Sequence, residues 1–333
     1  MLPEGVAAAL CIRYNLGEQT AAPAPVTGGL IHRLYRLDTT TGTFAVKALN
    51  PEIMRYENIR DAFRRSEAAA AAFAAAGVPA ILARDAPGGV VQDFDDVAVI
   101  IYPWCAGIVL PKASASPEKA FQIGAILGRM HALGLPGASP SEPPSTREPM
   151  AQEPWTVLVR RGREQKVEWA AKVEAALPDV FAWDRDRIAA DPALPQTLVV
   201  SHRDLDQKNV IWSENTPFLI DWESAGPTNP GMEIIGAALD WSGQSAGPPS
   251  QAAFAAVLAG YRQHSEFSSD LALPLMQSRL GDWIDWLGAC MNRSLDTRAT
   301  PSERAVGVQE TLDTLATMYA LAAGMKIWMQ WCA

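Results

Sequence analysis

The segment SHRDLDQKNVIW, residues 201–212, crowds proton-accepting and cation-binding side chains between two apolar runs. NVIW and PFLID are joined by the turn-rich SENT, so they pair as an antiparallel hairpin. That pairing sets Asn209 beside Asp221 at the open end. A hard divalent cation such as Mg²⁺ takes few protein oxygens and completes its octahedron with water and phosphate oxygens, so one amide and one carboxylate make a sufficient clamp. Asp204 lies on the loop entering the hairpin, where it can accept a proton from a hydroxyl during phosphoryl transfer, a role worth roughly 10²–10⁴ in rate. His202 and Arg203 read as supports of that loop. Any one of these residues alone would read as a turn or a cap. The joint pattern of His202, Asp204, Asn209 and Asp221 around one short hairpin carries the chemistry.

A second set of candidates stands much earlier. In TFAVK, Ala45 and Lys47 are two residues apart and share one face of a strand, with Phe44 and Val46 on the other. A small residue beside a cation suits a nucleotide, leaving room for an adenine ring and an ammonium for its phosphates. Thr27, Gly28 and Gly29, in VTGGLIH, stand where a phosphate-covering loop would lie, since glycine lets the backbone approach a ligand. Neither GxGxxG nor GxxxxGK[ST] is present.

The elements that must position these groups follow from periodicity and punctuation. LIHRLYRLD and TFAVKALN, around TTTG, predict a β-hairpin between Val26 and Asn50. Asn50 and Pro51 then predict the start of one long helix that runs to Gly77. ILARD, GVVQDF and DVAVIIY read as short strands. Residues 117–133 have helical spacing, 134–154 form a Pro/Ser-rich loop, and the stretches from Trp155 and from Gly231 are largely helical, with strands only at TLVVSH, NVIW and PFLIDW.

His202-Arg203-Asp204-Leu205 followed by Asn209 resembles the protein-kinase catalytic loop, and Asp221 sits where that fold's metal-binding Asp would. The next residues, Trp222 and Glu223, are not Phe-Gly. IDWE is instead similar to the aminoglycoside phosphotransferase and choline kinase superfamily of small-molecule kinases, in which D-W-E or a close variant replaces D-F-G. GPTNPGMEIIGAALDW returns to helix soon after Asp221, and no A-P-E follows, which disfavours a protein kinase. The resemblance covers about Val26 to Trp241 and implies an α+β, protein-kinase-like two-lobe fold. Its small β-rich lobe with one main helix would be residues 1–101, the nucleotide-binding lobe, and its larger, mainly helical lobe 102–333, the catalytic and substrate-binding one. It also implies ATP and Mg²⁺ as cofactors, with direct in-line transfer of the γ-phosphate. Asp204 would orient the acceptor hydroxyl, Asn209 and Asp221 hold the metal, and Lys47 steady the phosphates. Glu67, in RRSEAAAAAF, matches the ion-pair partner of that lysine by order and neighbourhood. Tyr102, Pro103, Trp104 and Cys105, in IIYPWCAG, resemble the hinge whose backbone hydrogen-bonds adenine.

Composition narrows the partners. A chain of 333 residues with 48% hydrophobic content buries a large core and suits two lobes. A net charge of −9 argues against nucleic acid, and no run reaches the roughly 18 apolar residues of a membrane span. The start reads as an amphipathic helix rather than a signal peptide. Cys11, Cys105, Cys290 and Cys332 lack disulfide or metal-like spacing and read as reduced thiols in the cytoplasm. No protein partner is implied. The expected substrate is a small hydroxylated molecule. Asp206, Glu223, Glu233, Asp240, Asp282 and Asp285 are candidates to pair with its ammonium groups, which favours an aminoglycoside or related antibiotic, and hence a role in antibiotic resistance. A metabolic kinase for choline, ethanolamine, homoserine or a sugar is the alternative. A nucleotide-binding pseudokinase scaffold is a third reading, although Lys47, Asp204, Asn209 and Asp221 are all present. The tryptophans read as helical core.

Overall fold

Strand alternation builds the sheet that carries Lys47. The structure, a computed structural model, describes residues 2–3, 5–27, 31–94, 97–113, 115–135 and 149–333. Gly28, Gly29 and most of the 134–154 loop lie outside them. Two compact units are present, the first drawn from Met1–Pro111, Leu133–Ala138 and Val199–Pro227. Within it, β1 (Ala24–Val26), β2 (Arg33–Thr39), β3 (Gly42–Ala48), β4 (Gln92–Phe94) and β5 (Val97–Pro103) form an antiparallel sheet of order β1-β2-β3-β5-β4. The β2–β3 hairpin is the predicted one, with Leu34 opposite Lys47. Phe44, Val46 and Ala48 are buried on one face of β3 with Tyr35, Leu37, Val99 and Ile101, under Val6 and Leu10 of helix α1 (Val6–Arg13). The face that holds Ala45 and Lys47 is covered by α2 (Ile59–Ala75), whose Phe63 packs with Leu49, Ala98 and Ile100. Each such apolar side chain contributes about 1.5–3 kcal/mol on full burial.

Two local expectations are corrected here. The helix predicted from Asn50 to Gly77, long enough to hold a break, is interrupted. Asn50 Oδ1 accepts the Glu52 N–H at 2.9 Å and supports only a 3₁₀ turn, Ile53–Arg55. Asn58, at φ 65, then redirects the chain before α2 begins. Asparagine tolerates that left-handed backbone better than most residues, which explains the break. ILARD, expected as a strand, joins no sheet. It runs extended beside the hairpin of residues 210–219, Ile81 N–H donating to Leu219 O at 2.9 Å and Leu219 N–H to Pro79 O at 2.7 Å.

That hairpin consists of β8 (Val210–Ser213) and β9 (Thr216–Leu219), paired from Val210↔Leu219 to Ser213↔Thr216. The two-residue β6 (Ile108–Val109) adds to the edge of β8, and β7 (Val199–Ser201) pairs with β10 (Gly226–Thr228). Strands as short as β6 and β10 leave no periodicity to read. The hairpin, expected in the later lobe, thus shares its compact unit with the N-terminal sheet.

The second unit, drawn from Lys112–Ala132, Ser139–Leu198 and Thr228–Ala333, is helical. It comprises α3 (Pro117–Ala132), α4 (Gln152–Glu164), α5 (Ala170–Ala190), α6 (Pro230–Ser242), α7 (Gln251–Tyr261), α8 (Ala272–Leu295) and α9 (Pro301–Trp331). α3 and α7 approach backbone to backbone. A Cβ at Gly124 would meet Val257 O at 1.9 Å, and one at Gly260 would meet Phe121 O at 2.1 Å, so only glycine fits. Trp169, Trp241 and Trp328 are buried in the helical core, whereas Trp283, Trp286 and Trp331, read from sequence as core, are only half-buried. Among the described residues no helix is long and apolar enough to cross a membrane, and the four cysteines are free.

Candidate active site

The hairpin register brings the metal candidates together. Ile220 N–H donates to Asn209 O at 3.0 Å, which sets Asp221 one residue beyond Asn209's partner. Asp221 is held at φ 62, ψ 58, and Arg203 at φ 67. Non-glycine residues in this region are strained by about 1–3 kcal/mol each and persist only where packing over-determines them. The packing is visible. Trp222 is buried, stacked on Phe73 of α2 at 5.6 Å and against His202 at 4.6 Å. His202 Nδ1 accepts the Asp204 N–H at 3.3 Å, leaving Nε2 to donate to Ile220 O at 3.0 Å. A completely buried histidine thus ties the Asp204 loop to the strand leading to Asp221, the support expected of it.

Asn209 Nδ2 donates to both Asp204 O and Asp204 Oδ2, each at 2.8 Å. With the amide nitrogen turned toward Asp204, Asn209 Oδ1 is turned the other way, the oxygen that a hard cation would take. Lys47 Nζ reaches across from β3 to Asp221 Oδ1 at 2.6 Å and Glu223 Oε2 at 2.5 Å. Burial by itself would lower the Lys47 pKa, but these two carboxylates outweigh it and raise it above its ordinary value. Among the described residues no group of three or more His, Cys, Asp or Glu side chains forms a metal cluster. The donor set is instead one carboxylate and one amide, which fits Mg²⁺ held partly by phosphate oxygens.

The lysine's partner differs from expectation. Glu67 engages Tyr102, whose O–H donates to Glu67 Oε1 at 2.6 Å, and the Ala83 N–H, at 3.2 Å from Oε2. Burial, the largest influence, pushes the Glu67 carboxyl up, against these hydrogen bonds and the charge of Lys47. Burial and the adjacent Glu67 together raise Tyr102 well above its ordinary range. Tyr102 stands opposite Ala45 in the β3–β5 register, so its hydroxyl lies on the same face as Lys47 and meets Glu67 there. Glu223, proposed from sequence as a substrate partner, takes the lysine, and His32 Nε2 lies 3.2 Å from the same carboxylate oxygen. The Asn50 N–H donates to His32 Nδ1 at 3.0 Å, which leaves the proton on Nε2 for Glu223.

This arrangement predicts an acid limit to stability. Burial alone would raise the Glu223 carboxyl, but the His32 hydrogen bond and the Lys47 charge pull it down from 4.5 to about 2. A lowered carboxyl pKa adds stability above the unfolded value and loses it as pH falls toward the folded one, here from 4.5 to about 2, worth about 3 kcal/mol. Lys47→Met should flatten the fall of the urea midpoint across that window. An equal slope in both proteins would exclude Lys47 as the group that holds Glu223 ionised.

The other candidates are placed as follows. Thr27 is exposed just beyond β1, and Gly28 and Gly29 lie outside the described residues. At the end of β5, Pro103 has no N–H and that of Trp104 donates to Thr43 O at 3.0 Å, whereas Cys105 follows the strand half-buried. Asp206 Oδ1 accepts the Lys208 N–H at 2.9 Å, and its Oδ2 takes Lys208 Nζ at 2.8 Å. In the second unit Glu233 is buried against His131 Nε2 at 3.0 Å, Asp240 and Asp282 meet Arg279 at 3.1 and 3.6 Å, and Asp285 meets Arg187 at 3.8 Å. Lys208 and His32 were not singled out in the sequence. Lys208 carried one signal, its i,i+4 spacing from Asp204.

The fold is shared with solved phosphotransferase structures. A spectinomycin phosphotransferase in complex with ADP and spectinomycin aligns with TM-score 0.71 at 13% identity, over 97% of this chain and 99% of that one. An amicoumacin kinase in complex with AMP-PNP, Ca²⁺ and Ami gives 0.64 at 14%, over 94% and 93%. A choline/ethanolamine kinase family protein from Mesorhizobium loti gives 0.58 at 16%, over 98% and 100%. No curated protein sequence matches. These likenesses define a protein-kinase-like α+β fold. The profile of the phosphotransferase enzyme family matches residues 23–267, and the chain belongs to that family. It is accordingly an enzyme that transfers phosphate to a hydroxyl group of a small molecule.

Proposed function

We propose that this enzyme uses ATP to phosphorylate a hydroxyl of a small, cationic molecule, first an aminoglycoside or related antibiotic, at a site made of Lys47, Asp204, Asn209 and Asp221. The supporting observation is the convergence of these four groups, with Lys47 2.6 Å from Asp221 and Asn209 2.8 Å from Asp204. Asp204 orients the acceptor hydroxyl and takes its proton, and Lys47 steadies the nucleotide phosphates. Asn209 and Asp221 would hold Mg²⁺. When bound, that ion neutralises charge on the phosphates. Cys105 is the backbone donor for adenine, because Pro103 lacks an N–H and that of Trp104 is engaged. The division into a nucleotide-binding lobe, 1–101, and a catalytic and substrate-binding lobe, 102–333, belongs to this proposal, as does a cytoplasmic location suited to four free thiols.

An antibiotic substrate is supported by the spectinomycin and amicoumacin enzymes that share the fold. One observation favours, within the metabolic alternative of choline, ethanolamine, homoserine or a sugar, the uncharged sugar. Every carboxylate that the sequence offered to a substrate ammonium already faces a cation or histidine of the chain itself. A panel of antibiotics, choline, ethanolamine, homoserine and sugars with Mg²⁺ and ATP separates the two by the mass gain of one phosphoryl group on the product. In parallel, expression in a sensitive bacterium should raise tolerance to an aminoglycoside. Phosphorylation confined to a metabolic acceptor, with unchanged tolerance to every antibiotic, would overturn the resistance reading.

A further inference from the structure

Lys208 takes no part in the chemistry assigned above, yet its ammonium sits on the proposed base. Nζ lies 2.9 and 3.0 Å from the two oxygens of Asp204 and 2.8 Å from Asp206 Oδ2. Asp206 holds this residue twice, since its other oxygen accepts the Lys208 backbone N–H at 2.9 Å and caps the 3₁₀ turn Gln207–Asn209. The ammonium is therefore aimed from both ends of its own short turn.

We propose that Lys208 is a catalytic cation, whose ammonium pairs with Asp204 and contacts the transferred phosphoryl group during the reaction. The inference rests on the proposed function. An acceptor hydroxyl hydrogen-bonded to Asp204 Oδ1 would lie about 2.7 Å from that oxygen. Lys208 Nζ lies 2.9 Å from the same atom, so hydroxyl and ammonium are no more than about 5.6 Å apart. At near attack the phosphorus stands about 3–3.5 Å from the hydroxyl oxygen, and an equatorial phosphoryl oxygen comes within reach of a lysine on a flexible stem. The step balances without a further reactant. The acceptor oxygen forms its bond to the γ-phosphorus, the bond from that phosphorus to the β,γ-bridging oxygen breaks, ADP leaves with the electron pair, and the hydroxyl proton passes to Asp204. Charge then builds on the equatorial oxygens, and a fixed ammonium stabilises it.

A competing account makes Lys208 a surface i,i+4 partner of Asp204, for the two side chains are 38% and 40% exposed. The accounts part in their dependence on the γ-phosphate. With Mg²⁺ present, calorimetric binding of ADP and AMP-PNP to wild type, Lys208→Met and Lys208→Arg needs no acceptor. Slow ATP hydrolysis, with water as the acceptor, supplies the rate. Lys208→Met should weaken AMP-PNP about tenfold, leave ADP unchanged and slow hydrolysis roughly 10²-fold, and Lys208→Arg should recover part of both losses. A Lys208→Met protein with the wild-type AMP-PNP to ADP affinity ratio and a hydrolysis rate within a few-fold of normal overturns this inference alone. A folded wild type that binds neither nucleotide overturns the proposed function and this inference with it.

Discussion

Asp204→Ala will slow phosphoryl transfer roughly 10²–10⁴-fold, the range expected for loss of a positioned general base, while nucleotide binding stays within a few-fold of wild type. The contrast follows from what the side chain touches. Asn209 Nδ2 keeps its second acceptor, the Asp204 backbone oxygen, at 2.8 Å, and Lys208 keeps Asp206 at 2.8 Å. The buried His202 link to Ile220 does not involve the Asp204 carboxylate at all. The loop therefore holds its course, and the loss falls on the acceptor hydroxyl. Single-turnover transfer to the acceptor found in the panel, set beside AMP-PNP affinity, reads both quantities. A fall of AMP-PNP affinity as large as the fall in rate would place Asp204 in the nucleotide site instead.

Asp221→Asn carries the second large effect. Asparagine accepts the left-handed backbone found at Asp221, φ 62, so the hairpin end and the Trp222 stack should survive. What changes is charge. The proposed metal site loses its one carboxylate, and Lys47 keeps only Glu223, at 2.5 Å. Losing about 4 kcal/mol of stabilisation of transition-state charge corresponds to roughly a 10³-fold slower reaction. Raising Mg²⁺ concentration should recover part of the rate, since the defect lies in occupancy as well as in chemistry. Titrating the variant with Mg²⁺ at saturating ATP checks this. Rates that are low and independent of Mg²⁺, with wild-type metal affinity, would count against Asp221 as a ligand.

These effects are legible to different depths in the chain. Asn209 and Asp221 fall together because a two-residue turn and strand pairing are local, and register follows from them. The face of Lys47 follows from the two-residue period of a strand, and the buried Phe44 and Val46 answer to the same rule. The identity of the lysine's partner is another kind of fact. Lys47 and Asp221 are 174 residues apart, and Tyr102 meets Glu67 across 35. Which carboxylate each donor finds depends on side-chain directions and on the path of α2 after its break at Asn58, neither of which any short window encodes.

The same limit separates charge from its use. Asp206, Glu223, Asp240, Asp282 and Asp285 are visibly acidic in the linear chain, and each turns out to face Lys208, Lys47, Arg279 or Arg187. Residue types and their spacing along one hairpin point to the class of reaction, because the groups proposed to perform it are fixed by nearby backbone. Pairings between distant side chains, and with them the electrostatic field that a substrate would meet, exist only once the segments are packed. The fold sets them because a salt bridge depends on a few ångströms of separation, which distance along the sequence does not constrain.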